Sequence, residues 1–143
     1  MRYWIFQSNL EYYELEDALL NCSEVNWKTN NCNVRKGDVG YFYKCEVNAG
    51  IYAVGKVLTD PADMYKDKCE EKAIRKDDRR EKNRRVRIKI IKKLEKPLSE
   101  QAILSDPILK NLNNLKKPGK SRRPIGSCFS MTSQQANLIN SII

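Results

Sequence analysis

The sequence predicts an α+β domain: short strands that close on one another as a barrel or sandwich, with short helices at the flanks. Three observations predict it. In KGDVGYFYK (residues 36–44), Val39, Tyr41 and Tyr43 alternate with Gly40, Phe42 and Lys44. The following GIYAVGKVLTDP (residues 50–61) holds a β-branched run from Ile51 to Leu58, and the two segments together read as paired strands. The opening YWIF, residues 3–6, is apolar or aromatic at every position, as in a strand buried on both faces. Helix signals are brief, the clearest being the capping box Thr132-Ser133-Gln134-Gln135 ahead of an apolar terminal stripe.

Each element follows in order. Residues 2–7 are the first strand, ended by Ser8-Asn9, and residues 15–20 are a short helix that turns Leu15 and Leu19 inward. Residues 24–28, around Val25 and Trp27, are extended, and 30–36 are a polar loop. Gly37-Asp38 and Asn48-Ala49-Gly50 mark turns around the strand pair, and Gly55 marks a bend or bulge inside it. Asp60-Pro61 reads as an N-cap with proline at the first helical position, which predicts a brief helix over 62–65. Of the twenty residues 66–85, sixteen are charged, ten positive and six negative, so a solvated loop or exposed helix is expected there. Residues 86–94 are a strand that Pro97 ends. Ser99 caps a helix over 100–104, and Pro107 starts a second turn through Leu109 and Leu112. Residues 116–123 (KKPGKSRR) are a basic loop, and 127–131 are the last strand.

The 143 residues amount to one domain on length. Lys+Arg exceed Asp+Glu by 27 to 18, and the net charge of +9 favours a polyanionic partner such as nucleic acid. There are five cysteines without a CxxC pair, and no histidine, so neither a metal nor a cofactor is expected. The cysteines read as reduced thiols of an intracellular, cytoplasmic protein. The N-terminal residues have neither a signal-peptide pattern nor a membrane span. Without histidine, a general acid or base near neutral pH would need a shifted carboxylate, lysine or cysteine, which favours a binding protein over an enzyme.

Six segments in this order resemble the EVE domain: YWIFQSN (residues 3–9), NWKTN around Trp27, KGDVGYFY, AGIYAVGKVLTDP, DPILKNL (106–112) and GSCFSMT (126–132). The resemblance runs from the first strand to the last helix and so treats 1–143 as a single domain. It implies a small PUA-like mixed β-barrel flanked by short helices, related to the YTH readers of methylated adenine. It further implies binding of DNA or RNA that carries a modified base, with that base flipped into a pocket. Some relatives are joined to modification-dependent restriction enzymes, so a separate nuclease is an implied partner. Carried over position by position, the pocket comprises Ser8 and Asn9 after the first strand, then Trp27, Thr29 and Asn30, with Tyr43 as a wall.

A flipped base needs an aromatic plane for its faces and polar groups for its edge. Trp27 offers the plane, at ~1–3 kcal/mol of stacking. Asn9 and Asn30 can each donate and accept, and Ser8 and Thr29 add hydroxyls. The polar neighbours of Trp27 argue against its deep burial, whereas Trp4, inside an apolar run, reads as core. Phosphate contacts fall to Lys116, Lys117, Lys120, Arg122 and Arg123, a loop with no acidic residue, and to Arg79, Arg80, Arg84 and Arg85. Two other classes stay open: a PUA-like hydrolase or ribonuclease using Lys44, Asp38 or Cys45, and a small-molecule- or protein-binding barrel whose basic surface serves solubility.

Overall fold

The computed structural model describes residues 1–75 and 82–143. In chain order the elements are β1 (Tyr3–Ser8), α1 (Leu15–Asn21), β2 (Glu24–Lys28), β3 (Val39–Lys44), β4 (Gly50–Val57), β5 (Ala62–Met64), β6 (Asn83–Ser99), α2 (Glu100–Leu104), β7 (Cys128–Met131) and α3 (Ser133–Ile142). Short 3-10 turns at Lys68–Ala73 and Leu109–Asn111 complete it. Among the described residues no helix is long and apolar enough to cross a membrane.

One curled sheet runs β2-β6-β4-β3-β1-β7, with β5 also on β6. It is mixed, because β1 and β3 are parallel while β7 and the other neighbours pair antiparallel. Both faces of the sheet are covered at β1, which explains the unbroken apolar run there. Trp4 and Phe6 enter one core with Leu15, Val25, Trp27 and Phe42, under α1. Ile5 enters the other with Tyr41, Tyr43, Ile103, Leu109 and Ile139, under α2 and α3. Alternate residues of a strand point to opposite faces, so a two-sided strand carries no polar alternation. Gly40 and Gly55 are paired across β3 and β4. A Cβ on Gly40 would enter the Phe6 ring, and one on Gly55 would sit 2.5 Å from Ile88 Cγ2. The pair of glycines makes room for the aromatic cluster of the first core.

Three expected elements come out differently. The helix over 62–65 does not form; Ala62–Met64 is instead β5, paired with Asn83–Arg85 of β6. The intended cap is otherwise engaged, since the Asp60 carboxylate accepts the Lys36 N–H at 3.0 Å. Second, β6 is a 17-residue strand that passes through Pro97. The ladder jumps there from the Ala53–Lys93 pair to the Ile51–Leu98 pair, so Pro97 lies in a bulge where no N–H is required. Third, the described residues of the charged segment 66–85 include regular elements. Asp67 and Glu70 form a capping box on the 3-10 turn, and β6 begins at Asn83.

The cysteines also depart from expectation. Cys22 bonds Cys69, and Cys32 bonds Cys128, with Cα–Cα distances of 5.4 and 6.4 Å that suit a disulfide. Cys45 is the one free thiol among them. Spacing in sequence is silent on these pairs, whose members lie 47 and 96 residues apart.

Candidate nucleic-acid interface

The parallel pairing of β1 and β3 positions the site, because it brings their C-terminal ends to one place. Ser8 lies beside Lys44, and the Cys45 N–H donates to the Ser8 carbonyl at 3.1 Å. Ser8 is buried, and its hydroxyl donates to the Tyr43 carbonyl at 3.4 Å. Asn9 is exposed, and its Oδ1 accepts the Glu11 N–H at 2.9 Å, an Asx turn that ends the strand.

Ser127 joins the remaining parts. Its carbonyl accepts the Gln7 N–H at 3.0 Å and Trp27 Nε1–H at 2.8 Å. Its hydroxyl donates to the Lys28 carbonyl at 2.7 Å, and Asn30 Nδ2 donates to that hydroxyl at 3.5 Å. Asn30 is exposed and sits at φ 45°, a left-handed conformation that asparagine tolerates. These contacts, with the Cys32–Cys128 disulfide, tie β2 to β7 across the gap between the two sheet edges. Trp27, Asn30 and the end of β1 therefore meet at Ser127. Thr29 does not join them: it is buried, and its N–H and hydroxyl both donate to the Arg84 carbonyl, at 3.2 and 3.3 Å.

Trp27 lies deeper than its neighbours suggest, at 5% exposure. The rings of Phe42, Tyr13 and Phe6 pack around it at centroid distances of 5.2, 5.4 and 6.1 Å. Polar residues on either side of it are no guide, because in a strand they point to the opposite face. Tyr43 is on the far side of the sheet from Trp27, in the second core. Its hydroxyl donates to Glu100 Oε1 at 2.6 Å, and the Arg123 guanidinium lies 5.9 Å from its ring. Burial first, then the Glu100 hydrogen bond and charge, hold the phenol far above its usual range, so Tyr43 stays a proton donor.

The basic loop crosses this same end. Lys116, Lys117, Lys120 and Arg122 are exposed, and Lys117 Nζ donates to the Leu112 carbonyl at 3.3 Å. Arg123 is half-buried and donates to Glu100 at 2.6 Å, so much of its charge is already matched. Arg84 is exposed. Arg85 is a correction to the expected surface cation: it is 1% exposed, and its Nε donates to the Met64 carbonyl at 3.2 Å. Arg79 and Arg80 lie outside the described residues.

Sequence alone leaves one anchor unseen. Asn114 Nδ2 donates to Gln7 Oε1 at 3.1 Å, and Gln7 Nε2 reaches the carbonyls of Pro124 and Gly126 at 3.5 Å. This amide pair holds the basic loop against β1. A polar pair inside the run from Leu112 to Leu115 is the only trace it leaves in the sequence.

The residues named for hydrolysis are otherwise occupied. Asp38 is buried and accepts the N–H groups of Arg2 and Arg35 and the Trp4 indole, each at 2.9 Å. Burial pulls the Lys44 ammonium down, but the Glu16 hydrogen bond at 2.8 Å and the charges of Glu14 and Glu16 outweigh it, and the group stays protonated. Burial pushes the Cys45 thiol up to about 11, away from thiolate character. Among the described residues no group of three His, Cys, Asp or Glu side chains is placed to hold a metal ion.

Comparison with solved structures places this architecture. A protein from Leishmania major superposes with a TM-score of 0.69 at 17% identity, covering 99% of this chain and 94% of that one. A protein from Pseudomonas syringae gives 0.66 at 19%, covering 98% of each chain. Human THYN1 protein, in complex with 5-methylcytosine-containing DNA, gives 0.66 at 15%, covering 99% and 97%. The comparison with curated proteins gives no match. The fold is thus the PUA-like α+β half-barrel of these neighbours. The family model described as EVE domain matches residues 2–138, and the chain belongs to the EVE domain family.

Proposed function

We propose that this chain is a non-enzymatic module that binds DNA carrying a modified base, 5-methylcytosine in the first instance. The base turns out of the helix toward Ser127, and the loop 116–127 holds the backbone. The observation that carries the proposal is the course of that loop. It presents Lys116, Lys117, Lys120 and Arg122 to solvent and ends on Ser127, above Trp27. The likeness in fold to human THYN1, itself in complex with 5-methylcytosine-containing DNA, supports the choice of ligand.

Asn9 and Asn30 are exposed and supply the groups for the base edge, with Ser8 behind them. A base stacks on Trp27 only after Ser127 lifts from the indole. Lifting gives up the Ser127 bonds to Trp27, Gln7 and Lys28, at ~0.5–1.5 kcal/mol each. Stacking returns ~1–3 kcal/mol, so an unmodified base leaves the exchange slightly unfavourable. Burying one methyl group adds ~0.8 kcal/mol, a preference of roughly fourfold. Any cleavage would fall to a separate nuclease.

The test is a titration of DNA and RNA strands and duplexes, with and without 5-methylcytosine, followed by tryptophan fluorescence at two salt concentrations. Quenching that depends on the methyl group and persists at the higher salt is expected for DNA. Binding that ignores the methyl group and disappears with salt overturns the proposal, and a preference for RNA reassigns the ligand.

A further inference from the structure

Residues directly opposite one another in a sheet share a face. The row Tyr3, Val39, Lys56, Lys89 crosses β1, β3, β4 and β6 in direct register. Tyr3 and Val39 pack against the core under α2 and α3, whereas Lys56 and Lys89 stand exposed on the open continuation of that face. Lys92, three residues beyond Lys89, would point the other way in a regular strand. The ladder shifts between the Gly55–Ile90 and Val54–Lys92 pairs, and the bulge takes up Ile91, which is 52% exposed. Lys92 thereby returns to the face of Lys56, opposite Val54 of the same core. Lys93 goes to the opposite face, where its ammonium donates to the Leu19 carbonyl.

The bulge thus gathers three lysines on one exposed patch. Like charges directly opposite in a sheet destabilise it. Among the described residues none of the three forms an ion pair. The carboxylate next in the row, Glu24 beside Lys89, accepts from Arg87 at 2.7 Å. The patch therefore repels itself and has no internal anion.

We infer that Lys56, Lys89 and Lys92 form a second phosphate-contact surface, where the DNA backbone flanking the bound base rests. The inference rests on the DNA-binding function proposed above. Along β3, the row of Lys56 and Lys89 passes through Val39, five residues before Lys44, the partner of Ser8, and that of Lys92 passes through Tyr41, three before it, so the separations along the strand are roughly 10–17 Å at ~3.3 Å per residue. At ~3.4 Å of rise per base on one strand, those distances are about three to five nucleotides. The patch therefore meets the flank and not the phosphates of the flipped base itself. Phosphate contacts of this kind add affinity without sequence or modification choice.

The experiment is fluorescence anisotropy of labelled duplexes, with and without 5-methylcytosine, over a salt series. It uses the full chain, the Lys56→Gln/Lys89→Gln/Lys92→Gln variant and the Lys56→Glu single variant. The triple variant is expected to bind both duplexes more weakly by the same factor. The slope of log K against log salt should fall by roughly 2–3, at about 0.9 for each phosphate no longer neutralised. Lys56→Glu pairs opposite charges across β4 and β6, so it is expected to raise Tm while weakening DNA binding. An unchanged slope in the triple variant, or a loss confined to the methylated duplex, overturns the inference and leaves the base-binding function standing. Wild-type binding that is salt-dependent but blind to the methyl group, with the slope still reduced in the variant, overturns the base-binding function and sustains the lysine surface. Wild-type protein that binds neither duplex overturns both.

Discussion

Trp27→Ala is expected to destabilise the folded protein by ~3–5 kcal/mol, the range for truncating a large buried aromatic side chain. Trp27 is 5% exposed, and Phe42, Tyr13 and Phe6 pack around it. The surroundings cannot collapse into the space, because Trp27 is paired with Val86 on β6 and Phe6 with Phe42 across β1 and β3. The Ser127 carbonyl loses the indole donor but keeps the Gln7 N–H, so the orphaned-acceptor penalty is avoided. For a domain of this size the loss is a fall in Tm of about 10–20 °C. Urea unfolding followed by far-UV circular dichroism measures it directly. A loss below ~1 kcal/mol would place Trp27 outside the cooperative core and refute the packing argument. The same arithmetic governs the choice of variant for DNA binding. Trp27→Phe keeps a ring in place and loses the Nε1 donor, at ~1–2 kcal/mol for one hydrogen bond and a small cavity. It leaves a folded protein in which loss of methyl preference can be ascribed to the site.

Cys32→Ser removes a bond that closes a 96-residue separation and should cost ~2–4 kcal/mol in the absence of reductant. Wild-type unfolding midpoints that are identical with and without dithiothreitol would show that the disulfides contribute nothing. Glu70 and Asp67 should respond to pH in opposite senses. Burial raises the Glu70 carboxyl above 4.5, despite hydrogen bonds from Tyr13 and two backbone N–H groups. The folded state then binds this proton more tightly than the unfolded state does, so the stability contribution of Glu70 falls as pH rises from 4.5 through its folded value. The Arg87 hydrogen bond holds Asp67 below 3.8, so its contribution is full above 3.8 and is lost as pH falls through the lowered value. Carboxyl carbon NMR titration reads both, and a Glu70 midpoint at or below 4.5 overturns the assignment.

Much of the fold is legible in the residues. The alternation of residues 39–44, the β-branched run after Gly50 and the all-apolar YWIF each become strands, and Thr132 and Gln135 form the expected capping box. The failures share a cause. Asp60-Pro61 is a sound local helix start, but β6 offers an edge, and ladder pairing of Ala62–Met64 outweighs one cap. Pro97 is a sound strand end, but a bulge removes the need for its N–H. Nothing local announces either partner.

The site divides the same way. Sequence and family resemblance name Ser8, Asn9, Trp27, Thr29, Asn30, Tyr43 and the basic loop as candidates, because these residue types carry chemistry wherever the chain places them. They do not pick out Ser127, the Gln7–Asn114 anchor or the two disulfides, whose partners are 47 to 107 residues apart. Burial of Trp27, the separation of Tyr43 from it and the loss of Arg85 to the interior all depend on which face of a curled sheet each strand turns inward. A one-residue bulge, set by pairing alone, decides whether Lys92 stands beside Lys56 and Lys89 or behind them. Composition and periodicity determined that this chain is basic and builds short strands with brief helices at the flanks. Register, bulges and long-range pairing decided which of those groups meet, because side-chain direction in a strand changes with every residue and is set by the partner strand.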